Sequence, residues 1–269
     1  MKYPIQKKRF RNRITRKKFK PIPKMVVPSF FTLMNLFCGF LSILMVFEGN
    51  FKMGAWLIVL AGMFDVMDGF MARLTNSTSE FGMELDSLSD IVSFGVAPGV
   101  LVYAFAFHEL EVAGLLLSAL APICGSIRLA RYNIESKLGE LEYFRGLPSP
   151  AFAIMLAAFY LTSVNRMEWF DGLNQGVISV LVPVVVLLSL LMISTIPFDK
   201  IPKFDRESIK LYKNRLILIF IYFLIIIFLQ DIGLMIVFSF FIVKGLALGL
   251  YIFWKQAFTD DPDPMEEGI

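Results

Sequence analysis

The chain has 269 residues, of which 57% are hydrophobic and 28 are phenylalanine, and its mean hydropathy is +0.67. This composition excludes an ordinary soluble domain, in which about half of the residues are apolar. The 26 Lys or Arg residues slightly outnumber the 23 acids, and one histidine leaves little material for histidine-based or zinc chemistry. We therefore expect a protein that lies in a membrane.

Eight charge-free stretches predict an all-α bundle of about eight transmembrane helices, because a helix crosses the hydrocarbon with about 20 residues and tilted helices manage with fewer. The stretches are 26–47, 53–64, 91–107, 112–127, 147–164, 172–198, 216–229 and 232–243. The predicted domains are a basic arm (1–25), a six-helix catalytic core (26–198), a basic loop with two further helices (199–255) and an acidic tail (256–269). We expect the last two helices to serve packing or homodimer formation.

The distribution of basic residues predicts the orientation in the membrane. Residues 1–24 hold eleven Lys or Arg and no acid, which places the N-terminus in the cytoplasm. If eight helices alternate, 23 of the 26 basic residues fall on that side, and the C-terminus is cytoplasmic too. We expect a multi-pass protein of the cytoplasmic membrane. Its basic arm is interpreted as a topology signal that contacts anionic lipids, with no role in nucleic-acid binding.

Four aspartates are concentrated where the second predicted helix meets the third, in DVMDGFMARLTNSTSEFGMELDSLSD, residues 65–90. Asp65 and Asp68 are three positions apart and share one helix face, and Asp86 and Asp90, four apart, share a face of the next helix. If these faces oppose each other, the carboxylates converge at the inner edge of the bilayer and repel one another. Oxygen ligands select hard cations such as magnesium, manganese or calcium. The pattern therefore predicts a two-cation site of the kind that clamps phosphoryl groups.

The residues between these acids add to the prediction. Gly69 and Gly82 would let a bulky ligand approach the backbone, and Arg73 offers a fork for phosphate. Two other classes of protein stay open at this point. A cation transporter would use the acids as its ion path and show ion flux, but it leaves these three residues unexplained. A scaffold without chemistry would be stabilised by Asp→Asn changes and would not lose its function.

Residues 65–90 also read D-x2-D-G-x2-A-R-x8-G-x3-D-x3-D, which resembles, without departure, the signature of the CDP-alcohol phosphatidyltransferase family. The resemblance implies a six-helix core whose site opens to the cytoplasm. It also implies attack by an alcohol on the β-phosphorus of a CDP-linked lipid, with release of CMP. By the same resemblance, Asp65 and Asp86 bridge two cations, magnesium or manganese. Asp68 would hold one cation and Asp90 the other, and Asp90 would also be the general base.

The resemblance further implies contacts to the CDP-lipid from the signature and from the first predicted helix. These residues are Thr32, Asn35, Gly69, Ala72, Arg73, Ser79 and Gly82. In the segment PSFFTLMNLFCG, residues 28–39, Ser29 stands where relatives often have Asn. Thr32 and Asn35 are therefore the preferred nucleotide contacts in this helix.

Two further segments, GSIRLARYN (125–133) and FRGLPSPA (144–151), resemble the phosphatidylserine synthase branch of that family. This resemblance implies CDP-diacylglycerol and L-serine as substrates. Arg128 and Arg131, three apart at a helix end, are expected to contact a phosphate or the amino-acid carboxylate, or else to be positive-inside anchors. Glycerol 3-phosphate or an inositol phosphate is the alternative acceptor, although its extra phosphate would demand more cationic residues than serine does.

Overall fold

The computed structural model describes residues 26–75, 79–138, 144–198 and 213–258, and these residues are mainly helical, as predicted. The helices are α1 (Val26–Phe47), α2 (Phe51–Thr75), α3 (Glu80–Asp90), α4 (Ala97–Phe105), α5 (Glu111–Leu138), α6 (Ser149–Asn165), α7 (Ile178–Ile193) and α8 (Lys213–Phe258). A π-helix, Ile91–Val96, joins α3 to α4, and 3-10 turns occupy Phe107–Leu110 and Met167–Phe170. Strands β1 (Phe144–Arg145) and β2 (Pro197–Phe198) form one short antiparallel pair.

Some of the predicted segments lie outside the described residues. They are the basic arm of residues 1–25, most of the basic loop that begins at residue 199, and the acidic tail beyond residue 258. The predicted side of the membrane on which the termini lie therefore stays a prediction.

Helix α8 consists of two antiparallel helices that meet at Gln230, where φ is 47° and ψ is −113°. The rings of Tyr222 and Phe240 lie 6.1 Å apart between centroids. A straight helix would separate residues eighteen positions apart by about 27 Å, so the chain must reverse between them. A Cβ atom on Gly233 would lie 2.5 Å from the carbonyl oxygen of Ile225, and this close approach requires glycine.

With α8 counted as a hairpin, and α3, the π-helix and α4 counted as one span, the described residues contain the eight predicted helical spans. Within the described residues, five helical stretches are long and apolar enough to cross a membrane when α8 is counted as one stretch, and α6 and α7 are shorter apolar helices. The prediction of an all-α, multi-pass membrane bundle is confirmed.

Two boundaries differ from the charge-free stretches. The third helical span begins at Glu80, well before residue 91 and in keeping with the prediction that Asp86 and Asp90 share a face of this helix. Ser79 caps α3 by accepting a hydrogen bond from the backbone N–H of Gly82 at 3.0 Å. The sixth, predicted as 172–198, is a helix only over Ile178–Ile193. It ends early because the chain leaves the helix to form β2, which pairs with β1.

Helix α6 lies at the centre of the bundle and is buried on three sides. Its alanines, including Ala153 and Ala157, allow α2 and the π-helix to pack closely on one side, where residues of α1 belong to the same hydrophobic cluster. Phe152 and Leu156 fill the core towards α5 and α7 on the other. The α8 hairpin covers a third side, where Leu234 packs against α6. Helices α2, α4, α7 and α8 and the π-helix are therefore positioned by direct contact with a rigid central element.

Helix α1 makes a close contact with the π-helix at Gly39. A Cβ atom added there would lie 2.6 Å from the Cα atom of Ser93. The Ser93 hydroxyl donates a hydrogen bond of 2.9 Å to the carbonyl oxygen of Asn35. The π-helix directly follows Asp90, and wide turns of this kind are frequent at functional sites. The contact therefore fixes α1 against the end of α3.

We predict that Gly39→Ala lowers the melting temperature in detergent, because the new methyl group overlaps backbone atoms of the π-helix. Overpacking of this kind costs about 1–3 kcal/mol. Gly172→Ala is the matched control, since a Cβ atom there meets no described atom within 4 Å. Equal melting temperatures for the two variants would contradict the close packing of α1.

Candidate active site

Three aspartates from two helices come together near the ends of α2 and α3. Asp65 and Asp68 lie in the second half of α2, and Asp86 lies in the middle of α3. Each offers a carboxylate oxygen, and these three oxygens lie within 4.8 Å of one another. Asp68 is buried, and the other two are half-buried. The structure therefore brings together three of the four predicted acids, which we call the Asp cluster.

The Asp cluster fits a divalent cation. Oδ2 of Asp68 and Oδ1 of Asp86 are buried without a hydrogen-bond partner in the part of the chain that the structure describes. Unpaired, closely spaced carboxylate oxygens are costly, because they have lost water and repel each other. A hard cation satisfies such oxygens, and an all-oxygen donor set suits magnesium and manganese alike.

Asp90 lies one turn beyond Asp86 and outside the Asp cluster. Its Oδ1 accepts a hydrogen bond of 3.1 Å from Nδ2 of Asn35, and both side chains are buried. Helix α1 therefore holds the fourth acid in place. Asn35, for which the family resemblance implies contact with the CDP-lipid, lies against this carboxylate.

A cavity of about 120 Å³ opens beside the Asp cluster between α1, α2 and α3. It is lined by two acids of the Asp cluster, by five of the predicted CDP-lipid contacts and by three further residues: Asp68, Asp86, Thr32, Gly69, Ala72, Ser79, Gly82, Pro28, Ser29 and Met83. A Cβ atom on Gly69 would meet no described atom within 4 Å, and one on Gly82 would meet only the Ser79 hydroxyl, at 3.2 Å. Protein packing therefore does not require glycine at either position, and both glycines keep the cavity wide.

Two of the predicted CDP-lipid contacts do not line this cavity. Asn35 donates its hydrogen bond to Asp90, and Arg73 is exposed near the end of α2. Ser29, in contrast, lines the cavity, although the resemblance favours Thr32 over Ser29 as a nucleotide contact. The available signal was spacing, because Ser29 precedes Thr32 by three positions and shares its helix face.

The two arginines of α5 have different surroundings. Arg131 donates hydrogen bonds to four backbone carbonyls around the end of α7 and β1, those of Ile193 (2.7 Å), Arg145 (2.8 Å), Ser194 (3.0 Å) and Met192 (3.4 Å). Arg131 therefore joins α5 to these segments. Arg128 is only 6% exposed and donates to the Ser149 hydroxyl at 2.6 Å. It also interacts electrostatically with Asp90 and Asp65, so Arg128 is the arginine that lies beside the acids.

These features define a class of protein: an integral membrane helix bundle that holds a carboxylate cluster beside an open cavity. The model of the CDP-alcohol phosphatidyltransferase family matches residues 25–196, which contain every residue of the site. The chain belongs to the CDP-alcohol phosphatidyltransferase family and is a transferase. The family resemblance of residues 65–90 is thereby confirmed.

Several similar proteins carry names that specify a reaction. A CDP-diacylglycerol–serine O-phosphatidyltransferase of Helicobacter pylori is 33% identical over 238 residues, which cover 88% of this chain and 96% of that protein. One of the same name from Bacillus subtilis is 36% identical over 185 residues, 68% of this chain and 96% of that protein. An archaetidylserine synthase of Methanothermobacter thermautotrophicus is 35% identical over 177 residues, 65% of this chain and 70% of that protein.

We predict that manganese raises the melting temperature of the wild-type protein in detergent, because a ligand that binds only the folded state stabilises it. Asp68→Asn and Asp86→Asn should each raise, at least about ten-fold, the manganese concentration needed for the same rise in melting temperature. Each change removes a charged ligand. Without metal, the same variants should melt higher than the wild type, because a repulsive charge has gone.

Glu84→Gln is the matched control for this experiment, since Glu84 is an exposed acid on the same helix as Asp86. It should bind manganese as the wild type does. A wild-type melting temperature that does not respond to manganese or magnesium would contradict the metal site.

Proposed function

We propose that this protein transfers the phosphatidyl group of CDP-diacylglycerol to the hydroxyl of L-serine, giving phosphatidylserine and CMP. The observation that carries the proposal is the Asp cluster beside a cavity kept wide by Gly69 and Gly82. Membership of the family supports the use of a CDP-linked lipid. The names of the relatives from Helicobacter pylori and Bacillus subtilis support serine as the acceptor.

The cavity would take the CDP group of the lipid donor. Ser29 and Thr32 of α1 line one side, and Gly69 and Gly82 give the nucleotide access to the backbone of α2 and α3. Asp68 and Asp86 line the same cavity, so the diphosphate would lie against the Asp cluster. This arrangement holds the donor before the acceptor arrives, and positioning of this kind lowers the barrier to transfer.

Asp65, Asp68, Asp86 and Asp90 would hold two divalent cations, magnesium or manganese, which when bound would neutralise negative charge on the diphosphate and on the departing CMP. The protein contributes a rigid frame for these carboxylates, because α2 and α3 both pack against α1. Arg73, which is exposed near the end of α2, would bind the phosphate groups from the solvent-exposed side of the site.

Asp90 would accept the proton of the serine hydroxyl. As the serine oxygen forms its bond to the phosphorus that carries diacylglycerol, the bond from that phosphorus to CMP breaks, and CMP leaves with the bridging oxygen. The hydrogen bond from Asn35 orients the Asp90 carboxylate for this transfer. Direct transfer needs no covalent enzyme intermediate.

We also propose that the site opens to the cytoplasm from the cell membrane. The concentration of Lys and Arg in the N-terminal arm supports this orientation, as does their scarcity in the turns on the other side. In this arrangement a water-soluble amino acid reaches the Asp cluster from the cytoplasm, and the lipid product stays in the bilayer.

The proposal predicts CMP release that depends on serine when the purified protein is supplied with CDP-diacylglycerol and magnesium or manganese in liposomes. EDTA should abolish the release, and Asp90→Asn should reduce kcat by more than about 100-fold, the scale of general-base catalysis. The product is identified by mass spectrometry. Faster release with glycerol 3-phosphate than with serine would overturn the acceptor, and release unaffected by EDTA would overturn the metal site.

Gly69→Ala should reduce CMP release at least about ten-fold without lowering the melting temperature, because alanine favours the helix in which Gly69 lies. The methyl group meets no described protein atom but enters the space where the nucleotide would bind. Gly172→Ala, whose new methyl group is also unhindered, should keep full activity. If Gly69→Ala is as active as this control, the cavity is not the donor site.

A further inference from the structure

We infer that the α8 hairpin positions the acceptor side of the site, and that Gly245 and Gly249 are the positioning residues through which it acts. The inference rests on the proposed function and takes serine to bind beside Arg128, as expected from the sequence. It gives a role in the reaction to a part of the chain that lies beyond the region matched by the family model, residues 25–196.

The end of the α8 hairpin at the chain reversal is fixed to the C-terminal end of α6. Oδ2 of Asp231, the residue after the reversal, accepts hydrogen bonds from the side chains of Arg166 (2.7 Å) and Asn165 (3.2 Å). The backbone carbonyl of Asp231 accepts a third from the Thr162 hydroxyl at 3.3 Å. Leu234, one turn further on, packs against α6. The second helix of the hairpin therefore starts from a fixed point and runs along α6.

The same helix reaches β2 near the opposite end of α6. It carries two glycines four positions apart, which share one helix face. A Cβ atom on Gly249 would lie 2.7 Å from Cγ2 of Ile196, and one on Gly245 would overlap the ring of Phe198. Phe198 is fully buried and also packs against Phe241, with 5.7 Å between the ring centroids. Such close approach requires glycine, so the hairpin fixes the position of β2.

Strand β2 in turn holds the segment that leads into α6. It pairs with β1 in antiparallel register, and the backbone N–H of Gly146 donates to the carbonyl oxygen of Ile196 at 2.9 Å. Gly146 has a φ of 82°, and a Cβ atom there would lie 2.5 Å from the carbonyl oxygen of Met192. Because this turn is so closely packed, a displacement of β2 would be passed on to it.

This segment ends beside the acids. Helix α6 begins at Ser149, three residues after Gly146, and the Ser149 hydroxyl accepts a hydrogen bond of 2.6 Å from Arg128. Arg128 also interacts electrostatically with Asp90, the proposed base for the acceptor hydroxyl. A continuous set of contacts therefore leads from the glycines of α8, through β2 and β1, to the place where the acceptor would bind.

The donor side of the site is built from other elements. The described residues that line the cavity proposed for the CDP group belong to α1, α2 and α3, together with Ser79, which caps α3. Helix α8 packs mainly against α6 and β2. A change at the contact of α8 with β2 should therefore weaken serine binding and leave the donor and the cations bound as before. Simple support of the fold would not produce this difference.

The test measures CMP release by the full-length protein in liposomes. Gly245→Ala should raise KM for serine by about five- to twenty-fold, because the methyl group displaces Phe198 and with it the segment that leads into α6. KM for CDP-diacylglycerol should stay within about two-fold of wild type. The manganese concentration that gives half of the rise in melting temperature should also stay within about two-fold.

A compensating change tests whether the effect passes through this contact. Gly245→Ala combined with Phe198→Leu should return KM for serine to within about two-fold of wild type, because leucine lacks the ring atoms that the new methyl group meets and total core volume is nearly kept. Asp231→Asn is the control for a loss of stability alone. It breaks the ion pair with Arg166 about 21 Å along the helix from Gly245, so it should lower the melting temperature without changing either KM.

An unchanged KM for serine in Gly245→Ala, or an equal rise in KM for CDP-diacylglycerol, would overturn the inference and leave the hairpin with a packing role alone. If Gly245→Ala does not fold, Phe198→Leu alone decides. It should raise KM for serine about three-fold because β2 is then loosely packed, and an unchanged value contradicts the inference. A wild-type protein that releases no CMP with serine overturns the proposed function before any variant is made. Serine-dependent release with an unchanged KM in these variants overturns this inference alone.

Discussion

The mutual repulsion of Asp65, Asp68 and Asp86 is the constraint on which the rest of the structure depends. Two ionised carboxylates separated by about 5 Å repel each other by roughly 3 kcal/mol at an effective dielectric constant of 20. Three such groups are held with oxygens within 4.8 Å, and two of these oxygens lack a described partner. The bundle must therefore hold together three carboxylates that repel one another. A cation bound between them would remove this repulsion, and the relief would contribute to its binding affinity.

The rigid packing of the bundle explains how the acids stay in place. Helix α6 supports α2 and the π-helix through small side chains, and Gly39 allows α1 to lie against the turn that follows Asp90. Arg131 ties α5 to the end of α7 through backbone carbonyls. These contacts are distant from one another in sequence, yet each fixes a helix that carries part of the proposed site. Close packing leaves little freedom for the acids to separate.

Local spacing made a large part of this predictable from sequence. The apolar runs predict the helices, and the spacing within residues 65–90 predicts that Asp65 and Asp68 share one helix face. Long-range contacts could not be read in the same way. Arg128 and Arg131 are both arginines, three positions apart on one helix, so the sequence does not distinguish their roles. Their hydrogen-bond partners differ because the end of α7 lies beside Arg131, whereas Ser149 lies beside Arg128. The hydrogen bond of Asn35 to Asp90 likewise depends on how α1 packs against α3.

The most direct test of the central claim is the anomalous scattering of manganese in crystals of the protein soaked with the metal. The account predicts manganese peaks in contact with carboxylate oxygens of Asp65, Asp68 and Asp86, between the cavity and Asp90. Peaks elsewhere, with these carboxylates bonded only to protein or water, would contradict it.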